Sequence, residues 1–168
     1  MKNLVLEGGG IKGIAFCGGI NALEELGQLK NIKNMIGSSA GAICVGLLAV
    51  GYTAVELEDI MKTMNFEEFT DDTFGYIRDI YRLCTQYGVC KGEKFVKWYG
   101  EMINKKTGNK NITFQQVFEL TGIDLTVTGT CLDTKNTIYF NKSTHANMTI
   151  VQAVRISMSI PGVFCAVK

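Results

Sequence analysis

The stretch that most restricts the fold is residues 35–50, MIGSSAGAICVGLLAV. Asn34-Met35-Ile36 reads as a short strand, Gly37-Ser38-Ser39-Ala40-Gly41 as a sharp turn, and Ala40 to Val50 as a helix apolar on nearly every face. A helix with no polar face is buried on all sides. The run falls well short of the roughly 20 apolar residues that a membrane-spanning helix needs, so it belongs in the core of a globular α/β domain. Gly37-x-Ser39-x-Gly41 has the G-x-S-x-G spacing, with Ser39 rather than Ser38 in the central position. In that motif the serine sits on a strained strand-to-helix turn that holds its hydroxyl clear of the backbone. Side chains at the flanking positions would collide where strand and helix pass closely, so glycine has a steric reason there. The dipole of the following helix favours negative charge near Ser39. Taken alone, the motif also suits a tight glycine turn with no chemistry.

Asn3-Leu4-Val5-Leu6 is a buried first strand stopped by Gly8-Gly9-Gly10. Phe16, Ile20, Leu23 and Leu26 recur near helical spacing from Ile14 to Leu26, and Gly27 supplies a stop. Thr53-Ala54-Val55-Glu56 and Thr113-Phe114-Gln115-Gln116 have the capping-box form and open helices reaching about Met64 and Gly122. Lys94 to Lys106 reads as a helix with Phe95, Trp98, Tyr99 and Met102 on one face and a basic end. Strands follow at 124–130 and 137–140 around the turn Asp133-Thr134-Lys135-Asn136, then a helix from Ile150 to about Met158 before Pro161-Gly162. Strands alternating with helices predict a largely parallel α/β sheet flanked by helices, in one domain spanning residues 1–168.

Apolar residues make up 46% of the 168 residues and the formal net charge is +1, so nothing argues for nucleic acid as a partner. The six cysteines are scattered with no CxxC pair and no His-Cys cluster at zinc spacing. Free buried thiols in a reducing, cytoplasmic compartment are the expectation, with no metal site. The N-terminus runs straight into a strand without the pattern of a signal peptide.

A second glycine signature, Gly8-Gly9-Gly10-Ile11-Lys12-Gly13, follows the first strand and precedes a helix. Its backbone N–H groups can converge on one cavity, the arrangement that stabilises the oxyanion of an acyl-transfer intermediate. Gly8-x-Gly10-x-x-Gly13 is also the dinucleotide fingerprint, which wants an acid roughly 20 residues on. Leu29-Lys30-Asn31-Ile32-Lys33-Asn34 offers none, which leaves a dinucleotide site the weaker reading.

EGGGIKG, the GSSAG turn and AVRISMSIPGVF occur in the order found in patatin-like phospholipases, and the chain resembles that family over essentially its whole length. The resemblance implies a patatin-like three-layer α/β architecture and a lipid acyl hydrolase of phospholipase A type that needs no cofactor. It makes Ser39 the nucleophile, flanked in its elbow by Gly37, Ser38, Ala40 and Gly41. The backbone of Gly8, Gly9, Gly10, Ile11, Lys12 and Gly13 becomes the oxyanion hole, with Lys12 at the loop's basic position. The partners implied are a phospholipid or other acyl lipid and a peripheral membrane or micelle surface. Family members pair the serine with an aspartate in a D-G-G or D-G-A motif, absent from this chain. The expectation is therefore a piece of a longer protein, inactive alone, with its base beyond Lys168. Asp124 and Asp133 are the internal acids of the right type, and Ser39, either aspartate and His145 follow the chain order of a hydrolase triad. Both aspartates are expected to be structural, and His145 an exposed loop histidine with no chemical role. Met61 to Tyr81, rich in Met and aromatic residues, reads either as plain core or as a cap over an acyl groove. A non-catalytic domain that binds lipid or a partner is the rival function.

Overall fold

The computed structural model describes residues 2–69 and 76–167. The strands are β1 (Asn3–Leu6), β2 (Asn34–Gly37), β3 (Gly88–Cys90), β4 (Asp124–Thr130), β5 (Thr137–Phe140) and β6 (Gly162–Phe164). The helices are α1 (Ala15–Glu25), α2 (Ala40–Ala49), α3 (Ala54–Thr63), α4 (Tyr76–Gln86), α5 (Glu93–Thr107), α6 (Phe114–Thr121) and α7 (Ile150–Ser157). A four-stranded sheet runs β1-β2-β4-β5, parallel except for the antiparallel β4–β5 hairpin. β3 and β6 form a separate parallel pair. This is the mostly parallel, helix-flanked α/β sheet that the alternation of elements predicts.

Register puts Leu4, Met35 and Leu125 in one row and Leu6, Gly37 and Val127 in the next, and all are buried. α2 packs against β1, β2 and β4, and every residue of it is buried. Gly46 lets Tyr99 of α5 close on α2, where the buried Tyr99 hydroxyl donates to the Ile43 carbonyl at 3.3 Å. A helix interior is a poor place for glycine on propensity alone, so the close approach explains it.

The helix ends follow the sequence signals. Thr53 Oγ1 accepts the Glu56 N–H at 3.2 Å while the Glu56 carboxylate accepts the Thr53 N–H at 2.9 Å. Thr113 and Gln116 reproduce the same box on α6. Gly108 and Gly122 close α5 and α6 in the left-handed conformation. Two expectations shift. The first helix begins at Ala15 because Gly10–Ile14 winds as a 3-10 turn, and β3 and β6, three residues each, had no counterpart in the periodicity. Of the expected cap, 70–75 lies outside the described residues. Within the rest, Met61 and Phe69 are core, Phe69 lying edge-on to Phe95 with ring centroids 5.3 Å apart.

Candidate active site

β1 and β2 end side by side, Leu6 opposite Gly37, so both glycine segments leave the same edge of the sheet. A Cβ on Gly8 would stand 3.3 Å from the Ser39 Cβ and 3.8 Å from the Ser38 Oγ, which makes Gly8 an immediate neighbour of both serines. Ser39 has φ 49° and ψ −118°, a backbone conformation that L residues rarely adopt and that costs about 1–3 kcal/mol. The packing around it enforces the turn. A Cβ on Gly37 would fall 2.6 Å from the Ala42 backbone, and one on Gly41 would meet the Leu6 carbonyl and lie 2.6 Å from that of Glu7. Gly13 approaches Ala40 somewhat less tightly, with 2.9 Å between an added Cβ and the Ala40 Cβ. Strand, glycine loop and α2 therefore meet with no room for side chains on these glycines.

Hydrogen bonds fix the rest of the elbow. The Ser38 N–H donates to the Leu6 carbonyl at 3.1 Å, Gly41 N–H to the Ser38 carbonyl at 2.8 Å, and Ile43 N–H to the Ser39 carbonyl at 3.1 Å. The Ser39 N–H donates to Ser157 Oγ at 2.8 Å, a side chain 118 residues away at the end of α7. Among the described residues the Ser39 hydroxyl has no hydrogen-bond partner. In the glycine loop, Gly10 takes φ 54° and Lys12 N–H donates to the Gly9 carbonyl at 3.1 Å. The N–H groups of Gly8, Gly9, Gly10 and Ile11 find no acceptor among the described residues. A segment with four unpaired amides thus adjoins Ser39 through Gly8, near the positive end of α2, and donors of that kind are chemically suited to a developing anion. The Lys12 and Ile11 side chains are exposed at the loop tip.

A cavity of about 800 Å³ opens beside Ser38 and Ser157 and is floored by Thr128, Gly129, Phe140 and Ile156. Asp133, in the β4–β5 turn, is also among its lining residues. It lies beyond Thr130, itself three residues past the level of Gly37, or about 10 Å along the strand. Asp124 lies at the other edge of the sheet, where its carboxylate pairs with Lys142 Nζ at 3.2 Å. The loop after β5 holds His145 toward that same edge, edge-on to Phe140 and with Nδ1 3.0 Å from Thr144 Oγ1. Asp124 and His145 are thus not brought to Ser39.

Arg155 and Ser157 are the residues whose roles sequence reasoning missed. Both stand in the AVRISMSIPGVF stretch, but nothing in a linear pattern says which helix end meets the elbow. Arg155 is buried. Its Nη2 donates to the Lys91 carbonyl at 2.5 Å and to the Cys165 carbonyl at 3.2 Å, and its Nη1 to Ser159 Oγ, so α7 is tied to β6 and to the loop after β3. The six thiols are free, and burial pushes that of Cys44, inside α2, up to about 12. Among the described residues no cluster of His, Cys, Asp or Glu could hold a metal ion, and no helix is long and apolar enough to cross a membrane.

Residues 4–168 match the model of the family described as patatin-like phospholipase. The chain is 32% identical over 163 residues to uncharacterized protein R571 of Acanthamoeba polyphaga mimivirus, covering 96% of this chain and 52% of that one. It is 28% identical over 174 residues to the probable lipid hydrolase 463L of Invertebrate iridescent virus 6, covering 99% and 56%. It therefore spans about half the length of these relatives. Among solved structures, ExoU of Pseudomonas aeruginosa, in complex with SpcU, superposes with a TM-score of 0.74 at 22% identity over 96% of this chain and 38% of that one. VipD of Legionella pneumophila superposes with a TM-score of 0.71 at 20% identity over 97% and 43%. The fold is theirs, and the family match over nearly the whole length establishes that this chain belongs to the patatin-like phospholipases.

Proposed function

We propose that this chain carries the nucleophile and the oxyanion hole of a serine-dependent lipid acyl hydrolase of phospholipase A type. The observation that carries the reading is the strained Ser39 elbow, φ 49°, in contact with a loop whose N–H groups from Gly8 to Ile11 are unpaired among the described residues. An aspartate takes the Ser39 hydroxyl proton as Oγ attacks the ester carbonyl. The carbonyl oxygen, now an anion, is held by the Gly8–Ile11 amides. The tetrahedral intermediate collapses, the C–O bond to the lipid alcohol breaks, and the aspartic acid returns its proton to that alcohol. Water, deprotonated by the same carboxylate, then cleaves the acyl-enzyme and releases the fatty acid with Ser39 restored. The scheme needs no metal or cofactor.

The names of the relatives support a lipid ester substrate: probable lipid hydrolase 463L, and triacylglycerol lipase 4 of Saccharomyces cerevisiae, 30% identical over 173 residues but matched over only 18% of its length. Ile11, Tyr87 and Ile160 are each more than half exposed on loops at the elbow edge, which suits a membrane or micelle surface as the place of encounter. Asp124 is ion-paired with Lys142 away from Ser39, and the reading draws its base from the aspartate that the family resemblance implies beyond Lys168, with Asp133 on the cavity wall as the internal alternative.

A fluorophosphonate probe tests the reading. The 168-residue chain is expected to label weakly and the natural protein extended past Lys168 strongly, with Ser39→Ala abolishing the signal. Strong labelling of the short chain that Asp133→Asn removes would place the base inside it. Silence in both would leave a binding domain that keeps the glycine turns without the chemistry.

A further inference from the structure

The elbow that presents Ser39 is not held by its own segment alone. Three of its hydrogen bonds stay within β1, β2 and α2, but the Ser39 N–H points out of that unit and ends on Ser157 Oγ at 2.8 Å. At φ 49° and ψ −118° this amide has turned away from any carbonyl of β1 or α2, and without Ser157 this part-buried N–H would be left without a protein acceptor. Ser157 is suited to the task for a specific reason. A helix serine ordinarily turns its hydroxyl back onto a carbonyl of the preceding turn, as Ser159 does just beyond α7, donating to the Arg155 carbonyl at 2.7 Å. Ser157 makes no such bond, and its oxygen faces the elbow. Its helix cannot easily slide, because Arg155 one half-turn earlier is anchored on the Lys91 and Cys165 carbonyls.

We propose that Ser157 is a positioning residue for the nucleophile: by accepting the Ser39 N–H it fixes the peptide of the strained elbow, and with it the Ser39 side chain, in place beside Gly8. The proposal rests on the reading of Ser39 as nucleophile. The hydroxyl of Ser157 takes no part in bond making. It transmits to the elbow the position of a helix that the chain reaches only 118 residues later. Without the acceptor, the glycine packing still imposes the turn but the Ser39 peptide is free to rock within it and Oγ drifts off the line of attack, and a displacement of about 1 Å is enough for a loss of about 100-fold.

The test uses the full natural protein and two independent readouts on Ser157→Ala, Ser157→Thr and Ser157→Cys. Hydrogen exchange at the Ser39 amide is expected to quicken about 10-fold or more in Ser157→Ala, less in Ser157→Cys with its weak sulfur acceptor, and hardly at all in Ser157→Thr. Ester hydrolysis and fluorophosphonate labelling should follow the same order. For Ser157→Ala, kcat should fall about 10- to 100-fold with KM within about twofold of wild type, and Ser157→Thr should restore it. Ser157→Ala with unchanged amide protection and rate would overturn the proposal. So would Ser157→Thr failing as Ser157→Ala does, since the site would then need a small volume rather than an acceptor. If Ser157→Ala does not fold, the graded comparison of Ser157→Cys with Ser157→Thr decides in its place. A wild-type protein in which Ser39 never labels would overturn the catalytic reading instead, and the amide exchange would still decide whether Ser157 holds the elbow.

Discussion

At the scale of single residues, two kinds of glycine in this chain predict opposite outcomes. Gly41 is held against the carbonyl of Leu6, the last residue of β1 and fixed by pairing with β2, and against that of Glu7 just beyond it. Gly41→Ala should therefore destabilise the fold by about 3 kcal/mol and abolish fluorophosphonate labelling, read by thermal unfolding and by gel. Gly19 stands in the exposed interior of α1 with open space where a Cβ would go. Gly19→Ala should stabilise by about 0.5–1 kcal/mol, through a smaller loss of backbone freedom on folding. The thiols divide in the same way. Burial pushes Cys44 up to about 12 and also raises Cys17, whereas hydrogen bonds from the Thr134 side chain and backbone lower Cys131 on the cavity wall. Iodoacetamide near pH 7.5 should modify Cys131 well before Cys44, as followed by peptide mass spectrometry. Equal rates would mean that α2 opens freely. The motif shows that Ser39 is special. Which amide its strain releases, and to what acceptor, is decided by a contact across 118 residues.

Elements are most legible where local chemistry closes on itself. The Thr53–Glu56 and Thr113–Gln116 boxes and the left-handed Gly108 and Gly122 stand where the sequence puts them, because each rests on neighbours within a few residues, and the strands at 124–130 and 137–140 do so because a short turn joins them into a hairpin. Thr53→Ala should lower stability by about 1 kcal/mol. Glu56, the other half of that box, is lowered below the ordinary glutamate range first by its hydrogen bond to Lys106 of α5 and then by the Thr53 N–H. A carboxylate with a depressed folded value adds stability that is present above its unfolded pKa, about 4.3, and is lost as pH falls through the folded value. The difference in thermal midpoint between wild type and Glu56→Gln should therefore be present at pH 7 and shrink at pH values below the usual carboxylate range. The pair is solvent-exposed, so the difference should be small and should fall further in salt. β3 and β6 escape the sequence because three residues carry no period, and each exists only because the other lies beside it.

For the molecule as a whole, the site is a property of one sheet edge. Parallel pairing of β1 with β2 brings the glycine loop and the elbow together, and the return of α7 to that edge adds Ser157. α2 couples this edge to the core. Leu47→Ala should cost about 2–5 kcal/mol, and because the same helix fixes Ser39, labelling should decline in step with the folded fraction. Labelling that survives in a protein destabilised to that degree would separate the elbow from the core. By itself the sequence determined the α/β class, the buried helix, both glycine signatures and the family, since periodicity, glycine sterics and capping act over a few residues. Only the tertiary structure decided that Asp124 and His145 belong to the far edge, that Met61 and Phe69 are core, and that Ser157 receives the Ser39 amide. Those facts depend on which strand ends share an edge and which helix end returns to it, and long-range pairing of that kind leaves no period in the chain.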